Sequence, residues 1–147
     1  MGAMNEEQAK YMLFDQGFDC AQTVFSTFAE DLDLDEETAL KVAAGFGGGM
    51  HQGDMCGCVT GALMVLGMKY GWNEPGDTVG KEIMNGKARE FERRFRERLG
   101  GLRCRELLEA DVSTPEGKFL AAERIPQRCP GFVTAACEIL EEMLEED

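Results

Sequence analysis

The sequence holds one histidine and one tryptophan in 147 residues, and no apolar run approaching the ~18 residues of a membrane span. With His51 alone, a serine-type triad cannot be assembled around its usual base, and no His-Glu-x-x-His metalloprotease motif exists. Positive charge is also scarce. Fifteen Lys and Arg face 28 Asp and Glu, for a formal net charge of −13. This argues against non-specific nucleic-acid binding, which rests on phosphate neutralisation, and against an anionic membrane surface. Cysteine is too sparse for a small disulfide scaffold: six residues in 147, against the ~8–10% of such chains. The start, Met1-Gly2-Ala3-Met4-Asn5-Glu6, lacks a signal peptide, and Glu6 breaks the myristoylation pattern. The expected location is cytoplasmic. Met1 to Ala3 read as a cloning remnant ahead of a natural start at Met4, so the expected domain is 4–147.

What is present is a soluble-protein composition, 44% hydrophobic and 29% charged, in a length that suits one domain able to bury a core without staples. Helical spacing dominates. Ala9, Met12 and Leu13 mark a short first helix, and Ala21, Val24, Phe25 and Phe28 share one face of a second. Asp35 can cap a third helix carrying Ala39, Leu40, Ala43 and Ala44, broken by Gly45-Phe46-Gly47-Gly48-Gly49. Val59, Ala62, Leu63, Val65 and Leu66 predict a central buried helix, closed by Tyr70-Gly71-Trp72. Asp77 to Leu99 reads as a long charged helix with Ile83, Phe91, Phe95 and Leu99 inward, stopped by Gly100-Gly101. A short helix runs from Cys104 to Ala110. Ser113 or Thr114 caps the next, with Pro115 in its first turn, and Cys129-Pro130 opens the last, which buries Phe132, Ala136, Ile139, Leu140 and Met143. No alternating strand pattern, repeat or linker appears. The expected fold is all-α: one compact bundle of about six to eight helices around a central apolar helix.

The clustered bases Lys87, Arg89, Arg93, Arg94, Arg96, Arg98, Arg103 and Arg105 read as a solvated face paired with Glu90, Glu92 and Glu97, or as a docking patch for an acidic partner. The glycines do not form a nucleotide loop. Gly45-Phe46-Gly47 lacks the third glycine and the preceding strand of a dinucleotide fingerprint, and Gly76 to Lys81 misses the P-loop spacing. Their expected role is to bring backbone close to a site. Gly57 and Gly61 sit where helices could pack closely.

The cysteines are Cys20, Cys56, Cys58, Cys104, Cys129 and Cys137. None shows the Cys-x-x-Cys spacing of a zinc knuckle or thioredoxin site. In a reducing compartment they point to metal or redox chemistry rather than structural disulfides. Five of the six, all but Cys137, fall at expected helix starts. There, unpaired N–H groups and the positive dipole end favour the thiolate, the form that binds metal or reduces a disulfide. Helix starts converging on one point would build an anion-stabilising pocket. Cys137 lies mid-helix and reads as core. His51 is either a solvated loop residue or a ligand or proton donor to that pocket. Gly47, Gly48, Gly49 and Gly57 complete the expected loop around it.

These blocks resemble a family of bacterial and archaeal redox-active proteins named after a C_GCAxxG_C_C cysteine pattern. Phe18-Asp19-Cys20-Ala21-Gln22 is similar to its first block, Gly45–Gly49 followed by Cys56-Gly57-Cys58-Val59-Thr60-Gly61-Ala62-Leu63 to its central block, and Cys104-Arg105-Glu106-Leu107-Leu108 and Cys129-Pro130 to its third and fourth. The resemblance implies a compact helical domain with four characteristic cysteines, here Cys20, Cys56, Cys104 and Cys129. It also implies redox activity, since the family is similar to part of some multi-domain electron-transfer proteins. The sequence departs from the pattern at one place: relatives read Cys-Gly-Ala-x-x-Gly, and Cys58 stands where they have the alanine. Cys58 is therefore a candidate fifth thiol, as a redox pair with Cys56 or as part of an altered ligand set. His51 has no family counterpart.

Three functions follow in order. The first is electron transfer through an iron–sulfur centre, because four thiolates from four segments match the usual ligand count. The second is a metal-free thiol oxidoreductase or redox sensor, holding no cofactor. The third is a structural zinc module, placed last because four-cysteine zinc sites use close pairs and only Cys56-x-Cys58 qualifies. The expected partner is a redox protein, and the apolar central helix makes a homodimer an expectation too.

Overall fold

The computed structural model describes residues 4–146; the reading of Met1 to Ala3 as a cloning remnant lies outside them. The described residues form seven α-helices and no strand. The first, α1 (Glu6–Lys10), is capped by Asn5 in a reciprocal box with Gln8 and runs on as a π-helical turn over Tyr11–Asp15. Next come α2 (Cys20–Ala29), capped by Asp19, and α3 (Glu36–Ala43), capped by Asp35. The central α4 (Gly57–Tyr70) is followed by the long α5 (Thr78–Leu99), the one-turn α6 (Cys104–Leu107) and α7 (Pro115–Glu145).

As its composition requires, α4 is the hub, with Cys58, Val59, Ala62, Val65 and Leu66 buried. It packs on α2, α5 and α7. The α2–α4 crossing is close because two glycines remove side chains from it. A Cβ on Gly57 would stand 2.8 Å from the Ala21 nitrogen, and one on Gly61 2.8 Å from the Ala21 oxygen. The core between α5 and the rest is filled by Phe91 and Phe95, stacked with ring centroids 5.8 Å apart. The basic stretch is a surface of internal ion pairs. Arg93 bonds Glu90 and Glu97, Arg94 bonds Glu90 and Glu146, and Arg98 bonds Glu138.

Two expectations are corrected. Ile83 does not face inward; it is exposed, and the buried stripe of α5 runs instead through Met84, Phe91 and Phe95. Met84 lies seven residues before Phe91, two full turns on one face, whereas Ile83 lies eight before it and turns away. The second concerns the C-terminal region, where two helices were expected and α7 is continuous through Pro126 and Pro130. Cys129 is thus inside a helix and not at its start. Each internal proline removes an N–H and costs about 3 kcal/mol in an unsupported helix. Here the proline turn is held from outside. Arg124 donates to the carbonyls of Leu108 and Glu109 at 2.7 and 2.6 Å, and Arg128 to that of Leu107 at 2.9 Å. Pro130, Val133, Ala136, Cys137 and Leu140 form its buried face, which places Cys137 in the core.

Candidate functional site: a cluster of five thiols

Four segments deliver the site. Asp19 and Gln22 close a capping box, with Asp19 Oδ1 accepting from the Gln22 N–H at 2.8 Å and Gln22 Oε1 from the Asp19 N–H at 3.0 Å. That box sets Cys20 as the first residue of α2. Cys56 occupies the N-cap position of α4 and Cys58 its second turn-forming residue. Cys104 opens α6 and is tied to the α4 entry by a short antiparallel pairing. The Cys56 N–H donates to Leu102 O at 2.8 Å, the Cys104 N–H donates to Asp54 O at 2.9 Å, and Met55 and Arg103 face each other between them. The Arg103 guanidinium bonds Asp54 on the outside. Cys129 comes from the proline turn of α7.

The five thiols form one connected group. Cys20 interacts with Cys129 and Cys58, and Cys56 with Cys104 and Cys58. All are free thiols. The group splits by charge state. Cys20 is lowered to about 6, first by the Cys129 thiol and then by that of Cys58. Cys56 is held well below the ordinary thiol range, first by Cys104 and then by Cys58. The N–H groups of Cys58 and Val59 add to this without closing a capping hydrogen bond. The other three are raised and stay protonated: Cys58 by burial and by its neighbours Cys20 and Cys56, Cys104 by Cys56, and Cys129 by Cys20. Each lowered thiol thus has two raised neighbours, Cys20 having Cys129 and Cys58, and Cys56 having Cys104 and Cys58. Sharing Cys58 couples the ionisation of Cys20 and Cys56. Cys137 stays outside the cluster, pushed up to about 12 by burial.

Helix starts do contribute, at Cys20, Cys56, Cys58 and Cys104. The argument fails for Cys129, which lies inside α7; it meets the group first through the Cys20 thiol, with Cys56 and Cys104 also acting on it. Among the described residues, no group of three or more His, Cys, Asp or Glu side chains is arranged to hold a metal ion.

A cavity of about 290 Å3 opens onto the cluster. Cys20, Cys56, Cys104 and Cys129 line it, while Cys58 lies behind them, fully buried. Gly48 and Gly57 also line it. Gly47 meets the Asp19 side chain instead: a Cβ there would come within 2.4 Å of it, and the Gly47 N–H helps hold the Asp19 carboxylate. Gly49 abuts the backbone of Asp54, 2.4 Å from where its Cβ would be. His51 is exposed and not among the cavity residues; its influence on the site is an electrostatic pull on Asp19. Gly48, Gly49, Met50 and His51 all have φ between 59° and 64°, a left-handed turn in which two residues carry side chains. Each such residue costs on the order of 1 kcal/mol.

Asp19 was not singled out from the sequence as a site residue. Burial raises its carboxyl, opposed by N–H groups of Gln22, Ala21 and Gly47. Its signal was legible as the Asp-x-x-Gln capping box beginning one residue before Cys20. The apolar wall from Leu13, Phe14 and Phe18 was not legible, because it depends on the π-helical turn after α1.

No helix among the described residues is long and apolar enough to cross a membrane. No curated protein and no solved structure matches the chain. A family model described as "Putative redox-active protein (C_GCAxxG_C_C)" matches residues 18–143, which takes in all five clustered cysteines. With most of its length matched, the chain belongs to the C_GCAxxG_C_C redox-active protein family.

Proposed function

We propose that the protein is a thiol-based redox protein working through Cys20, Cys56, Cys58, Cys104 and Cys129. One observation supports this above the rest: five thiols from four separate segments form one connected group, four of them lining a single cavity. Two thiols in contact can surrender two electrons and two protons to become a disulfide. Cys20 is the entry thiol. It is only half-buried, lines the cavity, and is thiolate near neutral pH, where a nucleophilic thiol is most effective. Cys56, enclosed and paired with Cys104, forms the second half of the store. A redox partner protein in the cytoplasm then returns the electrons.

The second reading is an electron-transfer protein with an iron–sulfur centre on Cys20, Cys56, Cys104 and Cys129. What favours it is that these four, and not Cys58, line one cavity. Metal analysis and a visible spectrum on protein purified without oxygen decide between the two. The first reading expects colourless, metal-free protein that loses thiols in pairs on mild oxidation and regains them with a dithiol. Stoichiometric iron with sulfur-to-metal charge-transfer bands establishes the second, and stoichiometric zinc with unfolding on chelation would support the structural alternative. Thiols that never pair on oxidation overturn the first.

A further inference from the structure

We propose that the oxidant reduced at this centre is a small uncharged molecule with an apolar body, an organic hydroperoxide by chemical class; this rests on the thiol-redox reading above. The argument is the cavity. Apart from the cysteines, its side chains are apolar with one exception, Asp19. Leu13, Phe14, Phe18, Leu107, Ile125 and Phe132 make most of the wall. No cationic side chain lines it, so a carboxylate or phosphate would enter beside Asp19 with no compensating charge, in a chain of net charge −13. A volume of about 290 Å3 suits a small molecule. Phe14, exposed at the rim, gives an apolar approach to the sulfurs.

The step balances within the site. The Cys20 sulfur attacks the terminal oxygen of the hydroperoxide. The O–O bond breaks, the alkoxide leaves and takes a proton from water to become the alcohol, and Cys20 becomes a sulfenic acid. The Cys129 thiol, in contact with Cys20, then attacks that sulfur, forming the Cys20–Cys129 disulfide and releasing water. Two thiols are oxidised by two electrons, and one hydroperoxide is reduced to alcohol and water.

The test is single-turnover oxidation of the reduced, desalted full chain by cumene hydroperoxide, hydrogen peroxide and glutathione disulfide, with disulfides mapped by mass spectrometry. Expected is a Cys20–Cys129 disulfide formed roughly tenfold or more faster with cumene hydroperoxide than with the other two. The exposed-rim variant Phe14→Ser should fold and lose most of that preference. Equal or faster oxidation by hydrogen peroxide or glutathione disulfide overturns the substrate class while leaving the thiol-redox reading standing. Failure of all three, and of diamide, to produce any disulfide among the five cysteines overturns both.

Discussion

Met55 and Arg103 face each other as an isolated antiparallel bridge, 48 residues apart in sequence. The two backbone bonds that flank them, Cys56 N–H to Leu102 O and Cys104 N–H to Asp54 O, set one cysteine from the α4 entry beside one from α6. The same contact gives Cys56 its strongest thiol neighbour and keeps Cys104 protonated. One residue of β pairing in an otherwise helical domain therefore does the work of joining two halves of the site.

Cys58 neighbours both lowered thiols, Cys20 and Cys56. Cys58→Ala should raise the Cys20 pKa above about 6 and raise that of Cys56 as well. Alkylation rates followed against pH will show the shift. Loss of one buried sulfur should cost only about 1 kcal/mol of stability in denaturant unfolding.

The depressed Cys20 thiol makes stability depend on pH. Between about 6 and the ordinary value of 9.0 the native chain binds fewer protons at Cys20 than the unfolded chain, so this contribution grows with pH in that window. It is fully present above 9.0 and lost as pH falls through about 6. The raised thiols Cys58, Cys104 and Cys129 act oppositely at alkaline pH, where the unfolded chain ionises and they do not. Urea midpoints should accordingly rise from pH 6 and turn down in the alkaline range. A Cys20→Ser variant should rise less steeply, keeping only the contribution of the depressed Cys56 thiol.

The α2–α4 crossing predicts a contrast among helical glycines. Gly57→Ala and Gly61→Ala place a methyl group 2.8 Å from Ala21 backbone atoms, which must move. Each should cost about 1–3 kcal/mol and disturb the Cys20–Cys58 contact. Gly67→Ala in α4 and Gly86→Ala in α5 meet nothing within 4 Å and should instead stabilise by about 0.5–1 kcal/mol. Melting temperatures of the four variants measure this directly.

Arg124 satisfies two carbonyls at the end of α6 while bracing the proline turn of α7. Arg124→Ala should destabilise by about 1–3 kcal/mol. It should also release Cys129 from Cys20, read as a rise in the Cys20 pKa. Arg128→Ala, losing one such bond, should have the smaller effect.

Met50 and His51 hold left-handed backbone with side chains attached. Met50→Gly and His51→Gly should each stabilise by about 1 kcal/mol. His51→Gly should also raise the Asp19 carboxyl slightly, since His51 favours its charged form. Carboxyl titration by NMR checks this.

By itself the sequence determined the all-α class, the buried character of α4 and the capping of α3 by Asp35, and it singled out five candidate thiols and set Cys137 apart from them. These are legible because helical periodicity, caps and close-packing glycines are local signals, and because an apolar stripe must be covered whatever covers it. Only the tertiary structure decided that Cys129 lies inside one long helix. Pro126 and Pro130 are local helix breakers, and bonds from Arg124 and Arg128 to carbonyls at the end of α6 brace the helix through them. Tertiary structure alone also decided who touches whom among the sulfurs. Thiol pairing depends on where four chain segments meet, and with it comes the division into two thiolates and three thiols. The apolar cavity belongs to the same class of fact: its walls come from the π-helical turn after α1, from α6 and from α7, and no stretch of sequence contains it.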